Sequence, residues 1–152
     1  MTAVEKALKL LAVRSRTALE LDRALTRARV SEDDRKLALA RLRELGYMDD
    51  REVARGRART LIERGEGPRL AARRLESQGI AKEDAQAAVD EAKGAAGDDA
   101  LAVRALRRRL RGRTPRDDAE KRRLLRGLIA KGHRPAAAAR ALEMEWDGDE
   151  DT

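Results

Sequence analysis

Apolar residues recur at i, i+3 and i+4 along nearly the whole chain, interrupted at short intervals by Gly, Pro or a capping residue, and this spacing predicts helices alone. Val4, Ala7, Leu8, Leu11 and Ala12 form one stripe over residues 3–13. Thr17 with Glu20 three residues on reads as a capping box for a second helix, which turns Leu21 and Leu25 inward and should end near Arg29. Ser31 caps a third helix, with Asp33 and Asp34 in its electropositive first turn and Leu37, Leu39, Ala40 and Leu42 leading to Leu45.

The next six residues, Leu45-Gly46-Tyr47-Met48-Asp49-Asp50, stop one helix and start another. Gly46 suits the left-handed residue that follows a helix. Tyr47 and Met48 read as a buried apolar connector, and Asp49 with Glu52 as a capping-box pair, so a rigid joint is expected here. Beyond it, Val53, Ala54, Ala58, Leu61 and Ile62 form an inner stripe that breaks at Gly65-Glu66-Gly67-Pro68. Pro68 fits the first position of a helix, where no amide hydrogen is needed, and Leu70, Ala71 and Leu75 carry that helix to Gly79. Ile80 and residues 82–93 follow.

Ala95-Ala96-Gly97-Asp98-Asp99 has small residues but no apolar connector, so this second joint is expected to be looser than the first. Leu101, Ala105, Leu106 and Leu110 then mark a helix, and Gly112-Arg113-Thr114-Pro115 a break with Thr114 as N-cap. Leu124, Leu125, Leu128 and Ile129 lead to Gly132, and Pro135 opens an Ala-rich helix that should end near Met144.

The pattern repeats. A shift of 50 residues places Leu11 on Leu61, Leu25 on Leu75, Arg29 on Gly79, Val30 on Ile80 and Asp34 on Asp84. A further shift of 53 places Leu75 on Leu128, Gly79 on Gly132, Ile80 on His133 and Val89 on Leu142. The expectation is an all-α protein of three tandem three-helix repeats, residues 1–46, 47–95 and 96–144, forming an elongated, curved array with an acidic tail at 145–152.

Composition narrows the function. The chain has no Phe, one Trp and one Tyr, so its cores must be built from Leu, Ala, Val and Ile. Base stacking on aromatic rings is correspondingly disfavoured, and any nucleic-acid contact should go to phosphates. There is no cysteine and only one histidine, which removes disulfides, Cys-based zinc sites and the usual His triads. No catalytic group, cofactor or small-molecule substrate is implied. The charged N-terminal pattern resembles neither a leader nor a membrane span, which leaves a cytoplasmic protein as the expectation.

Net charge is +7, and it is unevenly placed. Residues 104–131 hold 12 basic and 3 acidic residues, whereas Glu145 to Asp151 holds five acidic residues and no basic one. Arg104, Arg107, Arg108 and Arg111 share one helix face at i, i+3, i+4 and i+7. With Arg113, Arg116, Lys121 and Arg122, they are the main candidates for binding phosphates or an acidic protein groove. Arg55, Arg59, Arg69 and Arg73 are weaker candidates in the second repeat. The bland alternative is a solvated basic surface. Asp49, Asp50 and Glu52 are explained by helix capping without a metal, Gly65-Glu66-Gly67 lacks the Lys-Ser/Thr of a phosphate loop, and His133 occupies a half-buried packing position.

Leu42-x-x-Leu45-Gly46-Tyr47-x-Asp49-Asp50, then Gly67-Pro68 with Leu75-x-x-x-Gly79-Ile80, and the echo Leu128-x-x-x-Gly132-His133, resemble the RecX regulators of the RecA recombinase. Val53 and His133 stand where that family commonly has an aromatic and an apolar residue. The resemblance covers residues 7–142. It implies a protein of tandem three-helix repeats that lies along the groove of the RecA filament on single-stranded DNA and restrains RecA's ATPase, strand-exchange and coprotease activities in DNA repair and the SOS response; a non-enzymatic monomer is expected. A helix-turn-helix-like module bound to DNA phosphates is the competing expectation. Against it, the third helices of the first two repeats begin with Glu32, Asp33 and Asp34, and with Glu83 and Asp84, where a recognition helix would meet the groove.

Overall fold

The computed structural model describes residues 1–146 and 148, and the helical expectation holds throughout them. Among these residues there are nine helices and no strand: α1 (Ala3–Val13), α2 (Ala18–Arg27), α3 (Glu32–Glu44), α4 (Asp50–Glu63), α5 (Pro68–Ser77), α6 (Lys82–Lys93), α7 (Asp98–Leu110), α8 (Asp118–Ala130) and α9 (Pro135–Ala141). Their strongest contacts lie within α1–α3, α4–α6 and α7–α9, so the chain forms three consecutive three-helix bundles. The accessible surface is 9584 Å². A compact globule of the same mass would expose roughly 7,700 Å², so the excess fits bundles set in series.

Each bundle has its own aliphatic core. Ala7, Leu21, Leu25, Val30, Leu42 and Met48 fill the first. Ala54, Ala58, Ile62, Ala71, Leu75, Ile80 and Val89 fill the second, which also takes in Leu101 from α7. Ala105, Leu106, Leu110, Leu128, Ala138 and Leu142 fill the third. The predicted caps account for most helix starts. Thr17 and Glu20 make a reciprocal capping box, Ser31 accepts from the Asp34 amide, and Pro68 and Pro135 stand in the first turns of α5 and α9.

Several local expectations are corrected. Helix α2 ends at Arg27, two residues early, and α9 ends at Ala141, with Leu142 as its C-cap. Helix α8 starts at Asp118 because Asp117, not Thr114, supplies the capping oxygen, accepting from the Glu120 amide at 2.8 Å. Tyr47 is 60% exposed, so the connector buries only Met48. Leu37 is also exposed, on the outer side of α3. Asp49 accepts from the Arg51 amide without a capping box, because Glu52 turns instead to Arg55. The acidic-tail expectation falls largely on residues 147 and 149–152, outside the described residues.

The middle helices stack head to tail. The N-terminus of α2 abuts the C-terminus of α5, where the Thr17 hydroxyl donates to the Gln78 carbonyl at 2.6 Å. The N-terminus of α5 abuts the C-terminus of α8, where the Gly67 amide donates to the Lys131 carbonyl at 2.7 Å. Thr17 and Gly67 are both N-caps, and Gln78 and Lys131 both C-caps. Each contact therefore sets the positive end of one helix dipole against the negative end of the next.

The same stacking explains a change of residue type across the repeat. Arg29, Gly79 and Gly132 all have left-handed backbones, with φ of 62°, 99° and 92°. A β-carbon at Gly79 would collide with Leu19, and one at Gly132 with the backbone of Leu70. Arg29 is exposed and meets no such neighbour. Glycine is required where another bundle presses on the turn, and a side chain is tolerated where none does.

Candidate interaction surface

Helix α7 divides its residues sharply. Leu101, Ala102, Ala105, Leu106 and Leu110 are buried, while Arg104, Arg107, Arg108 and Arg111 are exposed along the other side. A helix places i, i+3 and i+4 on one strip, so Arg104, Arg107 and Arg108 share a cationic edge. Arg111, in the left-handed C-cap position, ends it. Among the described residues none of the four has a hydrogen-bond or ion-pair partner. At the inner rim of this edge, Arg104 and Arg108 line a cavity of about 330 Å³ with Glu63, Glu66 and His133, and the Arg108 guanidinium lies over Gly65.

Charge pairing separates the remaining candidates. Arg113 and Arg116 both bond the Glu120 carboxylate, at 3.3 and 2.8 Å. The Arg116 hydrogen bond, opposed by burial and helped by the charges of both arginines, holds that carboxyl below the usual range. Arg55 is divided between Glu52 and Glu91. Arg69 is half-buried at the second junction, where its amide donates to the Gly132 carbonyl. Arg59, Arg73 and Arg122 are exposed with no such partner among the described residues, and Lys121 is half-buried beside Arg113 and Pro115. Arg126, also exposed, joins Arg122 one turn along α8. It was legible from that i, i+4 spacing but lies outside the set chosen from sequence. So was the Arg116–Glu120 spacing, which signals that one arginine is neutralised.

His133 is more deeply placed than a half-buried packing position. It is 2% exposed, and its Nε2 lies 3.0 Å from the Gly65 carbonyl. Burial lowers its pKa, against the opposing pull of the Gly65 carbonyl and Asp98. A neutral imidazole donating from Nε2 fits this site. Asp49, Asp50 and Glu52 each have a protein partner: the Arg51 amide, the Ala18 amide and Arg55.

Over 96% of its length the chain is 33% identical to the regulatory protein RecX of Stenotrophomonas maltophilia (strain R551-3), covering 88% of that protein. The chain belongs to the RecX family of regulatory proteins. It is also 32% identical, over 91% of its length, to the regulatory protein RecX of Mycolicibacterium smegmatis (strain ATCC 700084 / mc(2)155), covering 76% of that protein. The fold agrees. The crystal structure of RecX from Lactobacillus salivarius superposes with a TM-score of 0.72 at 19% identity, over 93% of this chain and 92% of that one. A second crystal structure of a regulatory protein RecX gives 0.73 at 22% identity, over 93% of this chain and 70% of that one. No family model matches the chain. No helix among the described residues is long and apolar enough to cross a membrane.

Proposed function

We propose that this RecX-family chain is a non-enzymatic, cytoplasmic, monomeric regulator that binds the RecA filament on single-stranded DNA and restrains its ATPase, recombinase and coprotease activities. The bundles would act as repeats 1–46, 47–95 and 96–144 laid along the filament. The observation that carries this reading is the unpaired arginine edge of α7 on a RecX-family array of helical bundles. Three exposed arginines on one helix strip, with Arg111 at its end, suit a run of phosphates or an acidic protein groove, and every phosphate they engaged would add to the salt sensitivity of binding. Arg59, Arg73 and Arg122 extend the cationic surface, whereas Arg55, Arg113 and Arg116 are already neutralised.

The test is a titration of the purified protein into RecA filaments on single-stranded DNA while ATP hydrolysis is followed. Hydrolysis should slow at substoichiometric protein, and no effect at equimolar protein overturns the reading. The triple reversal Arg107→Glu, Arg108→Glu, Arg111→Glu should weaken the inhibition with helix content unchanged. Full inhibition by that variant would remove α7 from the interface.

A further inference from the structure

The stack of middle helices has two free ends, and both differ in residue type from the ends that meet inside the chain. The C-terminal turns of α2, α5 and α8 share one pattern. Arg29, Gly79 and Gly132 have left-handed backbones and donate to the Thr26, Glu76 and Ile129 carbonyls, while Val30, Ile80 and His133 donate to those of Leu25, Leu75 and Leu128. Gly79 and Gly132 lie against the first turns of α2 and α5, where a β-carbon would collide. The matching turn of α2 meets no other bundle among the described residues, and its Ala28 and Arg29 are exposed. Glycine adopts a left-handed backbone more readily than arginine, so local conformation does not favour Arg29 in this turn.

The other free end is the N-terminus of α8. Thr17 and Gly67 cap α2 and α5 inside the junctions and are buried, whereas the matching cap, Asp117, is exposed. The Thr17 hydroxyl accepts from the Glu20 amide and gives its own proton to the Gln78 carbonyl. A carboxylate near neutral pH only accepts, so Asp117 can cap its own helix but would oppose the carbonyls of an incoming helix end. The third residue of the helix changes in the same sense. Glu20 in α2 takes Arg57 from the next bundle, while Glu120 in α8 takes Arg113 and Arg116 from its own.

We propose that Arg29 and Asp117 are end stops, which prevent a second copy of this chain from continuing the stack. A contact between the α8 end of one copy and the α2 end of another would be head to tail, and contacts of that kind can add copies without limit. Arg29 obstructs it by volume, and Asp117 by having no proton to donate. Blocked stacking rests on the monomeric state proposed above, and the unaltered chain tests that state separately.

Arg29→Gly removes the obstruction without backbone strain, and Asp117→Thr keeps a capping oxygen while supplying a proton, so both variants should retain the helix content of the full-length chain. Sedimentation velocity at up to about 1 mM protein registers contacts with dissociation constants in the millimolar range. The unaltered chain and each single variant should sediment as single chains, because every end-to-end contact needs one opened end of each kind. The double variant should form species that grow with concentration, whereas an equimolar mixture of the two single variants should stop at pairs. A double variant that stays single overturns the end stops, as does a single variant that associates as readily as the double one. Association of the unaltered chain overturns the monomeric state and the end stops with it. Arg29→Asn combined with Asp117→Thr separates volume from charge, since Asn accepts the left-handed turn but keeps a β-carbon. This variant should stay single, and its assembly would overturn the obstruction by volume.

Discussion

At the junction of the first and second bundles, side chains do the joining. Arg57 grips both oxygens of Glu20, at 2.8 and 3.0 Å, and also donates to the Ser15 carbonyl and the Gln78 side chain. Asp50 accepts from the Ala18 amide, and the Thr17 hydroxyl reaches Gln78. At the junction of the second and third bundles the same positions are joined through backbone. The Gly67 and Arg69 amides donate to the Lys131 and Gly132 carbonyls, and His133 bonds the Gly65 carbonyl. A β-carbon at Gly67 would fall on the backbone of Gly132 and His133. One stacking geometry is thus held by two chemistries, mainly side-chain hydrogen bonds and an ion pair at the first junction and mainly backbone hydrogen bonds at the second. The second connection, expected to be the looser one, is not the sole tie between its bundles. Ala95 to Asp99 lacks an apolar connector, but the bundles it joins are held by direct backbone contacts elsewhere in the sequence.

The largest effect that separates the two junctions should come from Gly67→Ala. Gly67 has an ordinary φ of −74°, so the substitution brings no backbone strain and the whole cost is collision with backbone that cannot rotate away. A loss of about 3 kcal/mol in denaturant unfolding is expected. A loss under about 0.5 kcal/mol would mean that the bundles part easily and that the contrast is wrong.

Arg57→Met should cost about 2 kcal/mol near neutral pH, because it leaves the partly buried Glu20 carboxylate with only the Thr17 amide. Burial raises the Glu20 pKa, but the Arg57 and Thr17 hydrogen bonds and the charge of Arg57 together outweigh it, and the net shift is downward from 4.5. A lowered carboxyl contributes stability above its unfolded value and loses it as pH falls through the folded one. The difference between wild type and Arg57→Met should therefore shrink below about pH 4.5. A difference that survives full protonation would show that packing, rather than charge, holds this junction.

The smallest effect concerns the second junction and lies in a different pH range. The pKa of His133 is lowered from 6.5, so between its folded and unfolded values the unfolded chain binds more protons. Stability should fall as pH drops below about 6.5, by about 1 kcal/mol or less near pH 5.5. Melting temperatures of wild type and His133→Leu across this range provide the check. Wild type should lose stability that His133→Leu retains, and parallel profiles would remove His133 as the source.

Much of this molecule was readable because its helix punctuation is local. Thr17 with Glu20, Ser31, Pro68, Gly79 and Gly132 act through neighbours three or four residues away, and all were assigned correctly. Misreadings arose where two local signals competed. Thr114-Pro115 and Asp117 both offer a helix start, and the carboxylate, aligned on the Glu120 amide, prevails. The candidate surface was partly legible, since the α7 arginine strip follows from periodicity. The neutralisation of Arg55 by Glu91 does not, because the two residues lie on different helices.

By itself the sequence determined that the chain is helical, where most helices begin and end, that the pattern recurs three times, and that positive charge gathers on one face of α7. Those properties depend on periodicity and on partners within one turn, which the order of residues specifies directly. Tertiary structure decided how bundles meet, why Arg29 may be an arginine where Gly79 and Gly132 must be glycines, how deep His133 lies, and which arginines remain unpaired. Each of these depends on groups brought together from distant parts of the chain, and a neighbour's volume or charge has no effect on a residue until folding places the two in contact.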